Sequence, residues 1–197
     1  MAHTLIIGMT ESGKTIIGQK LAAHYVRNGI ACIILDPLSS QYWPQNDELV
    51  LHTRKKREFL DAVRRSRSCA VFVDEAGESV GQYDEEMHWL ATRARHYGHA
   101  SHFLTQRGQQ VAKTVRDQCA KMYLFACSKS DGKILADEWN QEELREVNKL
   151  GRGEFFLVSR FDPMLKGKIE IPEGEKVPVE QIKVKLTRTN SVDAGEQ

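Results

Sequence analysis

Residues 8–15 read Gly8-Met9-Thr10-Glu11-Ser12-Gly13-Lys14-Thr15, a G-x-x-x-x-G-K-[ST] string. These residue types at this spacing make an anion cradle. Gly8 and Gly13 let the backbone turn tightly enough for its N–H groups to point inward. A helix starting at Lys14 adds the positive end of its dipole. Lys14 supplies a cation for the β- and γ-phosphates of a nucleotide, and Thr15 a hydroxyl for Mg2+. The cofactors this chemistry requires are ATP and Mg2+, held along Gly8, Met9, Thr10, Glu11, Ser12, Gly13, Lys14, Thr15 and Ile16. A second group closes the apolar run Val71-Phe72-Val73 with Asp74-Glu75. Asp74 is suited to holding the metal's hydration shell, which makes Thr15 and Asp74 the metal pair. Glu75 is suited to orienting the attacking water. A third run ends in Thr105-Gln106-Arg107. In a parallel sheet it emerges beside the Asp74 strand, where Gln106 can sense the γ-phosphate or the water. No nucleophile–base spacing points to covalent catalysis. The chemistry these residues predict is in-line attack of water, driven by positioning and electrostatics.

The surrounding pattern supplies the elements that must position these groups. Short apolar runs at Leu5–Ile7, Ala31–Leu35, Leu49–Leu51, Ala70–Val73, Ser101–Thr105, Lys121–Ala126, Glu154–Ser159 and Lys168–Ile171 predict strands. Helical spacing is predicted over Lys14–Asn28, Lys56–Ser66, Asp84–Tyr97 and Gln141–Leu150, with Gly29, Gly98 and Gly151 as stops. Continuous apolar strands alternating with helices predict an α/β fold with a mostly parallel sheet covered on both faces. Residues 1–172 are read as one ATPase domain. Beyond it, Pro172, Gly174, Pro178 and Gly195 punctuate a polar stretch, read as a tail or arm over 173–197. Within it, Ile182–Leu186 alternates like an edge strand. Ser128–Gly132 reads as a surface turn.

The chain has 197 residues, 41% hydrophobic and 28% charged, with a net charge of +1, so no global excess of positive charge marks a nucleic-acid binder. A local patch does: seven of the fourteen residues 54–67 are Lys or Arg. It reads either as a solvated helix exterior or as a salt-sensitive contact to a phosphate backbone. No apolar run approaches the roughly 20 residues of a membrane-spanning helix. Cys32, Cys69, Cys119 and Cys127 are scattered and read as reduced core residues. His96, His99 and His102 recur every third residue, but Gly98 interrupts them, which argues against a metal site. Tyr42 and Trp43 are loop aromatics, better suited to a satellite core contact than to stacking on a base.

The order of phosphate loop, Asp-Glu strand, arginine-bearing helix and Thr-Gln strand resembles the FtsK/HerA superfamily of P-loop ATPases. Thr92-Arg93-Ala94-Arg95-His96-Tyr97-Gly98, Phe103-Leu104-Thr105-Gln106 and Asp36-Pro37 look most like the genome-packaging ATPases of tailless, membrane-containing icosahedral viruses. The likeness covers roughly residues 3–160. It implies a RecA/FtsK-like fold and an ATP-hydrolysing motor that translocates double-stranded DNA into a preformed capsid. It further implies a homo-oligomeric ring, usually a hexamer, docked on a capsid or virion-membrane protein at the packaging vertex. The location implied is the host cytoplasm during infection, or the virion. In such rings a neighbour's arginine completes each site. Arg95 is the first candidate, with Arg93 and Arg116 in reserve. The catalytic set is thus Lys14, Glu75, Gln106 and Arg95. Glu11 departs from the family pattern, where glycine is common, and must point outward to spare the triphosphate. The alternatives are a filamentous-phage assembly ATPase of the zonula-occludens-toxin-like kind, which carries a membrane span, and a small nucleotide or nucleoside kinase.

Overall fold

The structure is a computed structural model that describes residues 2–38, 43–46, 48–79, 84–170 and 178–189. The chain runs β1 (His3–Ile7), α1 (Lys14–Arg27), β2 (Cys32–Leu35), β3 (Val50–Thr53), α2 (Lys56–Arg65), β4 (Ala70–Val73), α3 (Ala76–Ser79) and α4 (Glu85–Thr92). It continues through β5 (Ala100–Thr105), α5 (Lys113–Asp117), β6 (Cys119–Phe125), α6 (Lys129–Trp139), β7 (Glu154–Ser159), β8 (Leu165–Ile169) and β9 (Val184–Arg188). The nine described strands form one sheet in the order β3-β2-β4-β5-β1-β6-β7-β8-β9. Strands β3 through β6 are parallel; β7, β8 and β9 extend the sheet antiparallel.

Alternation along each buried strand divides the core between two faces. Leu5, Ile7, Val71, Val73 and Phe103 face α2, α4, α5 and α6. Ile6, Ile34, Phe72, Leu104 and Phe125 face α1, Trp43 and the segment Val179–Ile182. Both faces are therefore covered, as the apolar runs predict. Among the described residues no helix is long and apolar enough to cross a membrane.

Four local readings need correction. Ser128 is not a surface turn but the cap of α6: its Oγ accepts the Asp131 N–H at 3.1 Å. Gly132 lies inside that helix because a Cβ there would come within 2.7 Å of the Leu144 carbonyl. The helix predicted over 84–97 breaks at Arg93 into α4 and a 3-10 turn, Ala94–Tyr97. Residues Glu142–Lys149 are likewise 3-10 rather than α. Residues 178–189 do not form a free arm. Lys20 Nζ donates to the carbonyls of Val179 (3.0 Å) and Ile182 (2.6 Å), pinning the segment on α1 before β9 joins the sheet. Tyr42 lies outside the described residues, whereas Trp43 is a core residue whose indole N–H donates to Asp36.

The four cysteines are buried and free, and burial pushes the thiols of Cys32 and Cys127 up to about 12. His99 is a satisfied core histidine: it accepts the Cys69 N–H and lies 3.1 Å from the Val63 carbonyl. His96 is exposed, and His102 stacks on Phe72 at 4.5 Å, so the three histidines do not converge. Neither ring nitrogen of His102 has a partner among the described residues, and burial, reinforced by His3, pushes its pKa down to about 3. The unfolded chain takes a proton near the ordinary value of 6.5 and the folded chain does not, so this group's contribution to stability is lost as pH falls from 6.5 toward 3. We expect His102→Phe to remove that dependence. Urea midpoints measured from pH 7 to 4 should show wild type losing about 1.4 kcal/mol per pH unit relative to the variant. Parallel curves would contradict the neutral buried imidazole.

Candidate active site

The phosphate loop joins two buried elements. β1 is buried throughout and α1 begins at Lys14, capped by Gly13 at φ 110, a left-handed conformation suited to glycine. Gly8 has no room for a side chain: a Cβ would come within 2.5 Å of Ser12 Oγ and 2.6 Å of Phe125 Cβ. Backbone bonds fix the loop from both neighbouring strands. Gly8 N donates to Thr105 O at 3.2 Å and Met9 N to Ala126 O at 3.0 Å. A third support, not read from the sequence, is Gly153 N donating to Ser12 O at 3.1 Å. The only sequence sign of it is the Gly151-Arg152-Gly153 turn.

Within this frame the predicted residues divide. Met9, Thr10 and Glu11 are exposed, Thr15 and Ile16 half-buried, and Ile16 packs on the α1 side of the core. Glu11 sits at φ 63 and is exposed. Lys14 is buried, and its Nζ lies 4.0 Å from Glu75 Oε1. Gln106 Nε2 lies 3.4 Å from Glu75 Oε2, a long hydrogen bond. The structure thus brings Lys14, Glu75 and Gln106 into one cluster. Glu75 reaches it through a left-handed backbone (φ 49), with its N–H donating to Asp74 Oδ1 at 3.0 Å. Such a conformation on a residue with a side chain is strained and occurs where a site needs the side chain re-aimed.

Asp74 is buried, and desolvation lifts its carboxyl to about 6, further raised by Glu75 and Asp36 and opposed by the Glu75 N–H and by Lys14. A carboxylate that resists ionisation in this way is suited to a cation that replaces its proton. Asp36, after β2, is buried and ties Trp43, the Leu38 N–H and His52 together on that side of the site.

The residues present fit a nucleotide with its metal. Ser12 Oγ is buried without a partner among the described residues, and Lys14 has its one carboxylate neighbour at the limit of ion-pair distance. Both groups are left for an anion. The hydroxyl of Thr15 and the carboxylate of Asp74 are the hard oxygen donors that Mg2+ takes, usually alongside phosphate and water.

The arginine candidates lie elsewhere. Arg116 is buried, donating to both oxygens of Glu138 and to the Gly108 and Val111 carbonyls. It is a structural residue, not a free finger. Arg93 and Arg95 are exposed. Arg95 lies in the 3-10 turn that leads into the start of β5, a strand parallel to β1 and in register with it, whereas the phosphate loop follows the end of β1. Arg95 therefore lies toward the end of the strands opposite its own loop. In the basic patch Lys56 pairs with Asp84, Arg64 with Glu86, and Arg67 lies over Tyr97. Lys55, Arg57 and Arg65 are exposed on the outer face of α2 with no ion pair among the described residues.

The strand carrying Gln106 lies between the phosphate-loop strand and the Asp-Glu strand. The fold is that of the P-loop NTPases. Comparison with solved structures agrees. The genome packaging NTPase B204 from Sulfolobus turreted icosahedral virus 2, in complex with sulfate, superposes with a TM-score of 0.70 at 17% identity, over 89% of this chain and 98% of that one. VirB4 of Thermoanaerobacter pseudethanolicus gives 0.65 at 12%, over 87% and 90%. The pCW3 conjugation coupling protein TcpA, with ATPγS, gives 0.65 at 13%, over 82% of this chain and 58% of that one. No protein-family model and no curated protein matches the chain.

This P-loop carries its own strain at Glu11, since a left-handed residue with a Cβ costs about 1–2 kcal/mol. We expect Glu11→Gly to raise stability by about 0.5–1 kcal/mol once glycine's extra unfolded-state entropy is subtracted. Denaturant titration checks this, and a destabilised variant would show that Glu11 makes a contact that offsets its backbone cost.

Proposed function

We propose that this chain is an ATP-hydrolysing motor that drives double-stranded DNA into a viral capsid. The observation that carries the hydrolytic part is the Lys14–Glu75–Gln106 cluster beside the phosphate loop. The loop N–H groups and Lys14 bind the phosphates and neutralise charge that builds up during transfer. Glu75 accepts a hydrogen bond from a water and aligns it with the γ-phosphorus. A new P–O bond forms as the bond to the leaving ADP oxygen breaks, and the water's proton passes to Glu75 or to the released phosphate. Gln106 steadies the free oxygen of Glu75 and registers loss of the γ-phosphate. Thr15 and Asp74 would hold Mg2+, which when bound supplies further positive charge to the phosphates.

The motor part rests on two supports. The B204 structures, described as a genome packaging NTPase, share the fold over nearly their whole length. Arg95 is exposed toward the end of the strands opposite its own loop, a placement suited to a neighbouring copy in a ring. The reading includes a homo-oligomer, taken as a hexamer, docked on a capsid or virion-membrane protein in the host cytoplasm. Lys55, Arg57 and Arg65 offer a sequence-independent contact to the DNA backbone.

The expected outcome is ATP turnover stimulated by long duplex DNA, with stimulation fading as salt rises, and with Lys14→Ala as the inactive blank. Arg95→Ala should lose about 10³-fold or more in rate. Mixing Arg95→Ala with Glu75→Gln subunits should restore part of the activity, because an interface with an intact Glu75 and a neighbour's Arg95 reforms. Turnover indifferent to DNA would contradict the translocase, and mixtures inactive at every ratio would contradict the trans arginine.

A further inference from the structure

The turn that braces the phosphate loop holds a cation that the hydrolytic account does not use. Gly151-Arg152-Gly153 leads into β7 and is fixed on three sides. Gly151 N donates to Glu154 Oε2 at 3.0 Å. Gly153 N donates to Ser12 O at 3.1 Å, and Gly153 O accepts the Ile169 N–H at 2.8 Å. Gly153 takes the left-handed conformation at φ 77, and its Cα lies 3.8 Å from where a Cβ on Gly13 would sit. Between these two glycines Arg152 is exposed, with no hydrogen bond, ion pair or ring contact among the described residues. A rigid backbone presenting an exposed guanidinium, unengaged among the described residues, is suited to a ligand.

Strand order says which part of the ligand. The groups that meet the terminal phosphate, Glu75 and Gln106, follow β4 and β5, on one side of β1. Arg152 precedes β7, on the other side. A nucleotide with its γ-phosphate toward Glu75 runs along the loop and leaves it toward β6 and β7. Its nucleoside end then faces the turn. One peptide unit separates the Arg152 Cα from the nitrogen bonded to Ser12, so the long side chain reaches the rim of the loop. The negative charge of the triphosphate is already met by Lys14 and the loop N–H groups. What lacks a partner at this end is the flat face of the base.

We propose that Arg152 stacks its guanidinium plane on the base of the bound nucleotide and so supplies affinity for the nucleoside half. This rests on the ATP-site reading above. The test is calorimetric titration of wild type, Arg152→Ala and Arg152→Lys with ATP, ADP and inorganic tripolyphosphate. Arg152→Ala should weaken ATP and ADP alike by about tenfold, the scale of one base-stacking contact. Tripolyphosphate, which has no base, should bind all three proteins equally. Arg152→Lys, which keeps the charge and loses the plane, should not restore ATP affinity. An unchanged Kd for ATP in Arg152→Ala, an equal loss for tripolyphosphate, or full rescue by lysine would each overturn the inference and leave the phosphate site intact. Wild type that binds neither ATP nor tripolyphosphate would overturn the ATP-site reading itself.

Discussion

Lys14 and Glu75 face each other across 4.0 Å although they follow strands that are not neighbours. β5 lies between β1 and β4, so the two strands are separated by twice the inter-strand spacing, about 9.6 Å. A long lysine from one side and a glutamate turned back by its left-handed backbone from the other nearly close this gap. The intervening strand leads into Gln106, which meets Glu75 from between them. Inserting β5 therefore does more than widen the sheet. It sets the distance between Lys14 and Glu75, the groups proposed to bind phosphate and to activate water, and it brings Gln106 beside Glu75.

That spacing is useful only if the loop is stiff, and its stiffness comes from far along the chain. Phe125 on β6 fills the space under Gly8 and Gly13. Gly153 bonds to Ser12, and Ile169 on β8 packs beside Gly13. On the same face of the sheet the Lys20 amine holds residues 179–182 against α1. The antiparallel strands after β6 thus act as a buttress for the loop. The charge balance follows the same plan. Burial makes ionisation of Asp74 costly and lifts its carboxyl to about 6, a cost that the Glu75 N–H and Lys14 already offset in part. Lys14 is the buried cation beside Asp74 and Glu75.

Much of this was legible in the sequence because it is local. A loop of fixed spacing between an apolar run and a helix, and an apolar run ended by Asp-Glu, carry their meaning within a dozen residues each. The exposure of Glu11 follows from charge alone. The parts that were not legible depend on contacts distant in sequence. Gly132 looks like a turn residue and is in fact a point of close approach inside α6, required by the Leu144 carbonyl. Residues 178–189 look like a polar arm because only Val179, Ile182 and Val184 face the core, and the bonds that hold them come from the Lys20 side chain on α1 and the backbone of β8. Arg116 looks as available as Arg95. Only the fold shows it spent on Glu138 and two carbonyls. The position of Arg95 relative to its own loop likewise depends on the 3-10 turn after α4 leading into the start of β5, which runs parallel to β1.

The central claim is that Glu75 activates water rather than anchoring the nucleotide. The most direct measurement incubates Glu75→Gln with radiolabelled ATP and Mg2+, then compares bound nucleotide and hydrolysis rate with wild type. Glutamine keeps the size and the link to Gln106 but cannot accept a proton. The account predicts ATP affinity within a few-fold of wild type, a hydrolysis rate lower by about 10²–10³, and intact ATP recovered from the protein. Hydrolysis at the wild-type rate, or loss of ATP binding with the fold intact, would contradict it.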